Sequence, residues 1–301
     1  MEYGSFCELM KRAQGLPTRR GVVAGAEDEH ILEAVFAAKR KGIMLPLLAG
    51  DGGRVKALAK SLGFATSECE ILDVPIGENP ADRAVEAIVA GKADFLIKGL
   101  LDTKDLLKPV VDRKNGLHME NRLMSHVALL QIPGERKLVA VTDGGMVVYP
   151  DLEMKKSIIL NAVETLRKMG YEKPKVAVLC AVEKLNEKIR ETVDAHELAE
   201  ANQRGELPDC VVAGPISYDV AMRADIAKLK GYDGSPHCGD FDVLVTSDMT
   251  AGNLLGKSLI VSASAKMAGV IVGAKTPIVV TSRGSSAEEK FNSIVFCAVT
   301  S

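Results

Sequence analysis

The sequence predicts an α/β fold of two lobes, each with a mostly parallel sheet flanked by helices. The chain has 301 residues, 47% of them hydrophobic, which suits one large or two medium domains. Short apolar runs alternate with amphipathic segments, and strands that alternate with helices pair in parallel through right-handed crossovers. Residues 114–116 interrupt this alternation. We therefore expect the boundary between the lobes within residues 115–127.

The first part of the chain predicts a regular series of elements. The helix at 28–41 illustrates the criterion, because Ile31 and Val35 lie one turn apart on an apolar face. The last helix of the series is capped by Asp102 or Thr103, since either side chain can accept a hydrogen bond from a backbone N–H of the first turn. In this part we predict strands at 21–26, 44–49, 70–74 and 94–97, and helices at 28–41, 53–62, 80–90 and 102–111.

The middle of the chain departs from this alternation once. Two apolar runs, 125–132 and 137–142, are joined by a short turn containing Pro133 and Gly134, which is typical of an antiparallel hairpin. The alternation then resumes. We predict helices at 151–169, 186–203, 218–229, 252–265 and 286–299, and strands at 175–181, 210–213, 241–246, 269–273 and 277–281.

The composition argues against several classes of partner. Lys and Arg number 38 against 40 Asp and Glu, so the chain lacks the positive field that non-specific nucleic-acid binding needs. Trp is absent and aromatic residues are 4%, which disfavours stacking on single strands. No apolar run reaches the roughly 20 residues that span a bilayer, and the first 20 residues lack the apolar stretch of a signal peptide. We predict a cytoplasmic protein with no nucleic-acid or membrane partner.

The cysteines and histidines indicate no metal site. The six cysteines are scattered without a Cys-x-x-Cys pair, and the five histidines are isolated. Scattered cysteines in a chain of this length are typical of reduced thiols in the cytosol. Neither residue type shows the spacing of zinc ligands. We therefore predict no metal.

Two glycine-rich segments match phosphate-binding loops only in part. Residues 50–53 follow a strand, but the third glycine of a dinucleotide-binding motif would fall at Val55, so a tight turn is favoured. Residues 251–258 depart from the phosphate loop G-x-x-x-x-G-K-S at Ala251, and Leu254 is typical of a helix that has already begun. An ATPase is therefore disfavoured, whereas a helix N-terminus that meets an anion stays open.

The stretch 281–289 is the most informative in the chain. A β-branched strand, 277–281, leads directly towards Arg283, and a helix starts at Ser286. Helix capping explains Ser286 but not an arginine where a strand leaves a sheet, a position suited to bidentate binding of phosphate or carboxylate. Glu289 lies one turn into the helix, where it could face the same cavity as a general base.

Four other polar residues have two interpretations each. Lys98 ends a strand and Lys108 lies in a helix, and each is either a solvated lysine or a ligand for an anion. Asp143, which two glycines follow, forms either a tight turn or part of a site. Asp248, after the strand 241–246, either caps a helix or contacts a substrate.

An ordered set of motifs resembles the phosphate acetyl/butyryltransferase family. The likeness covers most of the chain and is strongest from about residue 94 to the end. The short length and the Leu-Leu-Gly-Lys-Ser run at 254–258 resemble the butyryl branch more than the acetyl branch. The motifs are Thr-Lys-Asp-Leu-Leu-Lys-Pro at 103–109, Gly-Pro-Ile-Ser-Tyr-Asp-Val-Ala at 214–221, Ser-Asp-Met-Thr-Ala-Gly-Asn-Leu at 247–254 and Pro-Ile-Val-Val-Thr-Ser-Arg-Gly at 277–284.

This resemblance implies a fold, a reaction and its substrates. The fold would be isocitrate dehydrogenase-like and phosphotransacetylase-like, with a first lobe of residues 1–125 completed by 282–301, a second lobe of 126–281, and the active site in the cleft. The reaction would be reversible acyl transfer between coenzyme A and inorganic phosphate, giving an acyl phosphate. Coenzyme A is then a substrate and no cofactor is needed. Family members usually form at least dimers, so a homodimer or a higher homo-oligomer is expected.

The resemblance also assigns site residues by position. Ser282 resembles the serine that hydrogen-bonds the thiol of coenzyme A, and Arg283 the arginine that binds phosphate and the developing oxyanion. Glu289 replaces the family's aspartate base and is one methylene longer. Lys108 stands where the acetyl branch has a phosphate-binding arginine, without that residue's bidentate fork. The remaining substrate-binding candidates are Asp248, Gly252, Asn253 and Gly284.

Three alternative functions stay open. A phosphate acetyltransferase differs only in acyl length, and one or two methylenes are worth only about 1–3 kcal/mol of discrimination in an apolar pocket. A decarboxylating dehydrogenase of the hydroxy-acid type needs paired metal-binding aspartates, for which the sequence gives no convincing set. A non-catalytic coenzyme A or acyl-phosphate binding protein remains, because Glu289 replaces the aspartate. For the enzyme we expect direct transfer in a ternary complex, since no cysteine falls in the site loop.

Overall fold

The computed structural model describes residues 2–282 and 284–301, and its elements are numbered here in chain order. The helices are α1 Phe6–Gln14, α2 Glu29–Arg40, α3 Gly52–Ser61, α4 Pro80–Val89, α5 Thr103–Val110, α6 Leu152–Met169, α7 Arg190–Gln203, α8 Tyr218–Met222, α9 Ala224–Leu229, α10 Met249–Ala263 and α11 Ala287–Thr300. The strands are β1 Arg19–Ala24, β2 Met44–Gly50, β3 Glu70–Asp73, β4 Phe95–Lys98, β5 Ser125–Gln131, β6 Val139–Thr142, β7 Lys175–Leu179, β8 Val211–Ile216, β9 Val243–Val245, β10 Lys266–Val272 and β11 Ile278–Val279.

The chain folds into two compact units. The terminal unit comprises Phe6–Arg122 and Met267–Ser301, and the middle unit comprises residues 2–5 and Leu123–Lys266. The lobe boundaries predicted from the sequence fall at 125/126 and 281/282. The structure differs at the second one because β11 pairs in parallel with β4, which sets Val279 beside Ile97. The segment that carries β10 and β11 therefore belongs to the terminal unit.

The terminal unit is built on a sheet with the strand order β3-β2-β1-β4-β11-β10. All of these strands are parallel except β10, which is antiparallel to β11. The predicted elements up to α5 are confirmed, with bounds within two residues. The helix α1 was not predicted, although its buried residues Phe6, Leu9 and Ala13 have helical spacing.

The strands of the middle unit have the order β5-β6-β9-β7-β8. The predicted hairpin is confirmed, since β5 and β6 are antiparallel and the remaining pairs are parallel. The single helix predicted at 218–229 is wrong. The Gly239 N–H donates to the Ala221 carbonyl at 2.8 Å, and Arg223 is extended at φ −135° and ψ 107°, so the segment forms the separate helices α8 and α9.

The carboxyl ends of parallel strands meet at one edge of a sheet, where open α/β folds bind their ligands. In the terminal unit the loops after β1, β4 and β11 share this edge. In the middle unit the loops after β6, β9, β7 and β8 do so. Among the described residues, no helix is both long and apolar enough to cross a bilayer.

Candidate active site

A cavity of about 400 Å³ opens at the carboxyl edge of the terminal unit. Because β4 and β11 pair in parallel, the residues that follow them come together there. We call it the Ser282 cavity. It is lined by Asp28, Lys98, Gly99, Leu100, Leu101, Asp102, Asp105, Thr281, Ser282 and Lys290.

The loop between β11 and α11 brings Ser282 to this cavity. Ser282 is exposed, and its carbonyl accepts the Ser285 N–H at 3.1 Å, which tightens the loop. Arg283 lies outside the described residues, so its predicted role stays a prediction. A Cβ added at Gly284 would meet no other atom within 4 Å. Packing therefore does not require this glycine, and its role as a substrate contact also stays a prediction.

Glu289 is held in place by the turn that starts α11. Ser286 caps the helix by accepting the Glu289 N–H at 3.2 Å. The buried Ser285 hydroxyl donates to Glu289 Oε1 at 2.6 Å. Burial raises the pKa of the Glu289 carboxyl above its ordinary value, and the Ser285 hydrogen bond and the charge of Lys290 offset only part of this. A raised pKa makes a carboxylate a stronger base than an exposed one, which suits a group that accepts and returns a proton.

The residue after Glu289 makes a buried ion pair within the same unit. Lys290 Nζ lies 2.7 Å from Asp28 Oδ1, and the Lys290 side chain is only 5% exposed. Asp28 also caps α2 by accepting the Ile31 N–H at 2.7 Å. Burial raises the pKa of Asp28, but the hydrogen bonds from Lys290 and Ile31 outweigh burial and hold the pKa below its ordinary value. This pair fixes the first turn of α11 against α2.

The two lysines considered in the sequence have different surroundings. Lys98 is buried, at 6% exposure, and lines the Ser282 cavity. Lys108 does not line it. It lies instead along a separate depression of about 770 Å³ with Arg83, Asp82 and Asp112. The solvated interpretation is therefore wrong for Lys98, and the structure does not bring Lys108 together with Ser282 in one cavity.

In the middle unit, Asp248 is the N-cap of α10. Its carboxylate accepts the Ala251 N–H at 3.0 Å and the Ser247 hydroxyl at 2.9 Å. Burial raises the pKa of Asp248, but these hydrogen bonds outweigh burial and leave the pKa below its ordinary value. The capping interpretation is thus confirmed. A substrate contact by Asp248 stays a prediction.

Gly252 and Asn253 have structural roles that the sequence did not indicate. A Cβ at Gly252 would lie 2.6 Å from the Asp143 carbonyl oxygen, so the close packing of α10 on the turn after β6 requires glycine. Asn253 Nδ2 donates to the Gly144 carbonyl at 3.1 Å. The expectation that α10 begins at residue 252 is wrong, because Asp248 caps it from Met249. The segment 251–258 is therefore helical and cannot wrap a phosphate as a P-loop does.

At Asp143 and at residues 50–53, where the sequence allowed either a tight turn or a ligand site, the structure has a tight turn. Asp143 is 2% exposed, and its carboxylate accepts the N–H groups of Gly145 and Met146, both at 2.7 Å. In the segment 50–53, Asp73 Oδ1 accepts the Gly52 N–H at 2.8 Å. A carboxylate of the protein thus occupies the end of α3 where a dinucleotide phosphate would bind.

Comparison with known proteins agrees with these motifs. The family model described as "Phosphate acetyl/butaryl transferase" matches residues 75–298. A phosphate butyryltransferase of Clostridium acetobutylicum is 36% identical over 98% of this chain and 97% of its own length. A phosphate acetyltransferase of Thermotoga maritima is 38% identical over 97% of this chain and 98% of its own length.

Solved structures give the same result. A branched-chain phosphotransacylase from Enterococcus faecalis superposes with a TM-score of 0.83 at 30% identity, over 94% of this chain and 99% of its own. A phosphotransacetylase from Streptococcus pyogenes has a TM-score of 0.83 at 21% identity, over 98% of both chains, which supports the fold. From its motifs, its sequence relatives and its fold, the chain belongs to the phosphate acetyl/butyryltransferase family.

Proposed function

We propose that the protein transfers an acyl group reversibly between coenzyme A and inorganic phosphate, with butyryl or a similar short chain as the acyl group. The observation that supports it most directly is the α11 turn, where the Ser285 hydroxyl holds Glu289 at 2.6 Å beside the loop of Ser282. Relatives named for butyryl and for acetyl transfer are similarly close. The butyryl preference therefore rests on the run at 254–258.

In the direction of acyl phosphate synthesis, a phosphate oxygen attacks the thioester carbonyl carbon and the C–S bond breaks. Coenzyme A leaves as a thiolate and takes a proton from the Glu289 carboxyl, which the proton given up by hydrogen phosphate restores. In reverse, the Glu289 carboxylate accepts the thiol proton and sulfur attacks the acyl phosphate carbonyl carbon. As the C–O bond breaks, the leaving phosphate takes up the proton as hydrogen phosphate, which returns Glu289 to its ionised form. A free thiol has a pKa of about 8.5, so a nearby base and the Ser282 hydroxyl promote the thiolate.

The other parts of the proposal follow from the family resemblance. Arg283 would bind phosphate and stabilise charge at the tetrahedral carbon. Coenzyme A acts as a substrate, and transfer is direct, without an acyl-enzyme. We also propose that the protein is a homodimer or a higher homo-oligomer.

The test measures thiol release from butyryl-CoA and from acetyl-CoA, each with and without inorganic phosphate. We expect release that depends on phosphate and is faster with butyryl-CoA. Faster release with acetyl-CoA would keep the reaction and overturn the butyryl preference. No phosphate-dependent release with either thioester, together with measurable binding of coenzyme A, would replace the enzyme by a binding protein.

Replacing Ser285 tests how Glu289 is tuned. The Ser285 hydroxyl stabilises the charged carboxylate, so Ser285→Ala should raise the pKa of Glu289 further. Consumption of acyl phosphate by coenzyme A needs the ionised form of Glu289. The acidic limb of the pH–rate profile of this reaction should therefore move to higher pH. The measurement is the pH–rate profile of that reaction, with Ser61→Ala, at the exposed end of α3, as the control. An unshifted limb would show that the hydrogen bond does not act on the base.

A further inference from the structure

Lys98 is a buried lysine in the Ser282 cavity to which the family resemblance assigns no role. Lys98 is 6% exposed, and it is the last residue of β4, at the carboxyl edge of the sheet in the terminal unit. Long charged side chains are seldom buried to this extent unless they are paired or functional. Lys98 interacts with other groups of the protein, so a bound anion would add to these contacts.

The backbone that carries Lys98 is rigidly placed. Lys98 pairs in register with Ala24 of β1. The Gly99 N–H then donates to the Ala24 carbonyl at 2.8 Å, and the Leu100 N–H to the Gly25 carbonyl at 2.7 Å. A Cβ at Gly99 would lie 1.9 Å from the Gly25 carbonyl oxygen. The two chain segments are therefore in direct backbone contact, and the position from which Lys98 projects is fixed before any substrate arrives.

Lys98 and Lys290 are the buried lysines among the described residues that line the cavity. Lys290 is the second buried cation there, and Asp28 neutralises it at 2.7 Å. Asp102 and Asp105 are exposed at the start of α5, where water screens their charge. A buried ammonium acts through a lower dielectric and attracts an anion more strongly than an exposed one. Lys98 is such an ammonium, and it lines the same cavity as Ser282.

We propose that Lys98 binds the substrate phosphate, both as inorganic phosphate and as the phosphoryl group of the acyl phosphate. This inference rests on the proposed function and deepens it. By position, the resemblance gave a phosphate contact to Lys108, which lines a different depression. Lys98 shares its cavity with Ser282, at which the thiol of coenzyme A is proposed to bind. Phosphate held there would lie beside the carbon it attacks.

The first experiment compares Lys98→Met with wild type and with Lys56→Met, an exposed lysine of α3. The loss of one charged hydrogen bond should raise KM for inorganic phosphate about 10- to 100-fold. KM for the acyl-CoA should stay within about threefold, and Lys98→Arg should recover part of the loss, because it restores the charge. Lys56→Met should match wild type. An unchanged phosphate KM in a folded Lys98→Met would overturn the proposal, as would an equal loss for the acyl-CoA.

A second measurement separates this inference from the proposed function. Inorganic phosphate alone should raise the Tm of the wild-type chain, because a ligand bound only by the folded state stabilises it. We expect Lys98→Met to lose this shift and Lys108→Met to keep it. A shift kept in Lys98→Met and lost in Lys108→Met would show that Lys108, and not Lys98, binds the phosphate. If Lys98→Met fails to fold, Lys98→Gln takes its place. Since no turnover is involved, the phosphate shift tests Lys98 even if no acyl transfer is found.

Discussion

Glu289→Gln should lower the rate of phosphate-dependent thiol release about 10²- to 10⁴-fold, the usual contribution of a general acid or base. The amide has nearly the same shape as the carboxyl, and its oxygen can still accept the Ser285 hydroxyl, which donates at 2.6 Å in the native protein. The turn at the start of α11 should therefore persist. What is lost is the group that gives and takes the thiol proton.

The rate of the reverse reaction, in which coenzyme A consumes the acyl phosphate, gives a second measurement of the role of Glu289. The same carboxyl must act as acid in one direction and base in the other, so Glu289→Gln should slow both directions by the same factor while the equilibrium constant stays unchanged. Glu288→Gln is the matched control, because Glu288 is an exposed carboxylate in the same first turn. A Glu289→Gln variant that kept more than a third of the wild-type rate would remove Glu289 from the chemistry and leave the binding-protein alternative in its place.

Most of the fold could be predicted because its parallel strands are short apolar runs separated by clear helix signals. Asp51 and Asn79, for example, cap α3 and α4 by accepting N–H groups of the first turn. The errors arise where a distant contact decides the outcome. The Gly239 N–H donates to the Ala221 carbonyl, and the segment 218–229 forms two helices instead of one. No feature within that segment indicates this hydrogen bond.

The boundary between the units could not be predicted for a similar reason. Residues 269–281 continue the alternation of the middle of the chain without a break. Long-range contacts such as the pairing of β11 with β4 place them in the terminal unit. A parallel pairing partner lies far away in sequence, so local pattern carries no information about it.

Ser282 was assigned from the family resemblance, and Glu289 from a strand that leads into a capped helix. The structure places Ser282 in the lining of a cavity and Glu289 in the first turn of α11, and the roles of both stay predictions. A glycine needed for backbone packing and a glycine needed for a ligand look alike in sequence, so the packing role of Gly252 could not be predicted, and its substrate contact stays a prediction. Lys98 was considered as either a solvated lysine or an anion ligand, and its place at the end of a fully buried strand is the signal that favours the second interpretation.

Lys137→Met should destabilise the protein by about 3–5 kcal/mol, the usual cost of breaking a buried ion pair. Lys137 is 6% exposed and Asp242 2%, and both precede strands of the middle sheet, at the edge away from the ligand loops. The Asp242 carboxylate also accepts the Lys175 N–H at 2.7 Å. In Lys137→Met, the buried Asp242 carboxylate keeps this hydrogen bond but loses the ammonium of Lys137, its nearest cation. Urea denaturation at neutral pH measures the loss.

Two further variants show whether burial of charge is the cause. Arg167→Met breaks an ion pair with Asp209 whose side chains are 46% and 52% exposed, so it should cost less than about 1 kcal/mol. Adding Asp242→Asn to Lys137→Met removes the unpaired charge but keeps an oxygen for the Lys175 N–H, so stability should return in part. A double variant less stable than Lys137→Met would show that lost packing of the lysine stem, rather than the buried carboxylate, sets the cost. Because this network lies at the amino ends of the strands, we expect phosphate-dependent thiol release by folded Lys137→Met to match wild type.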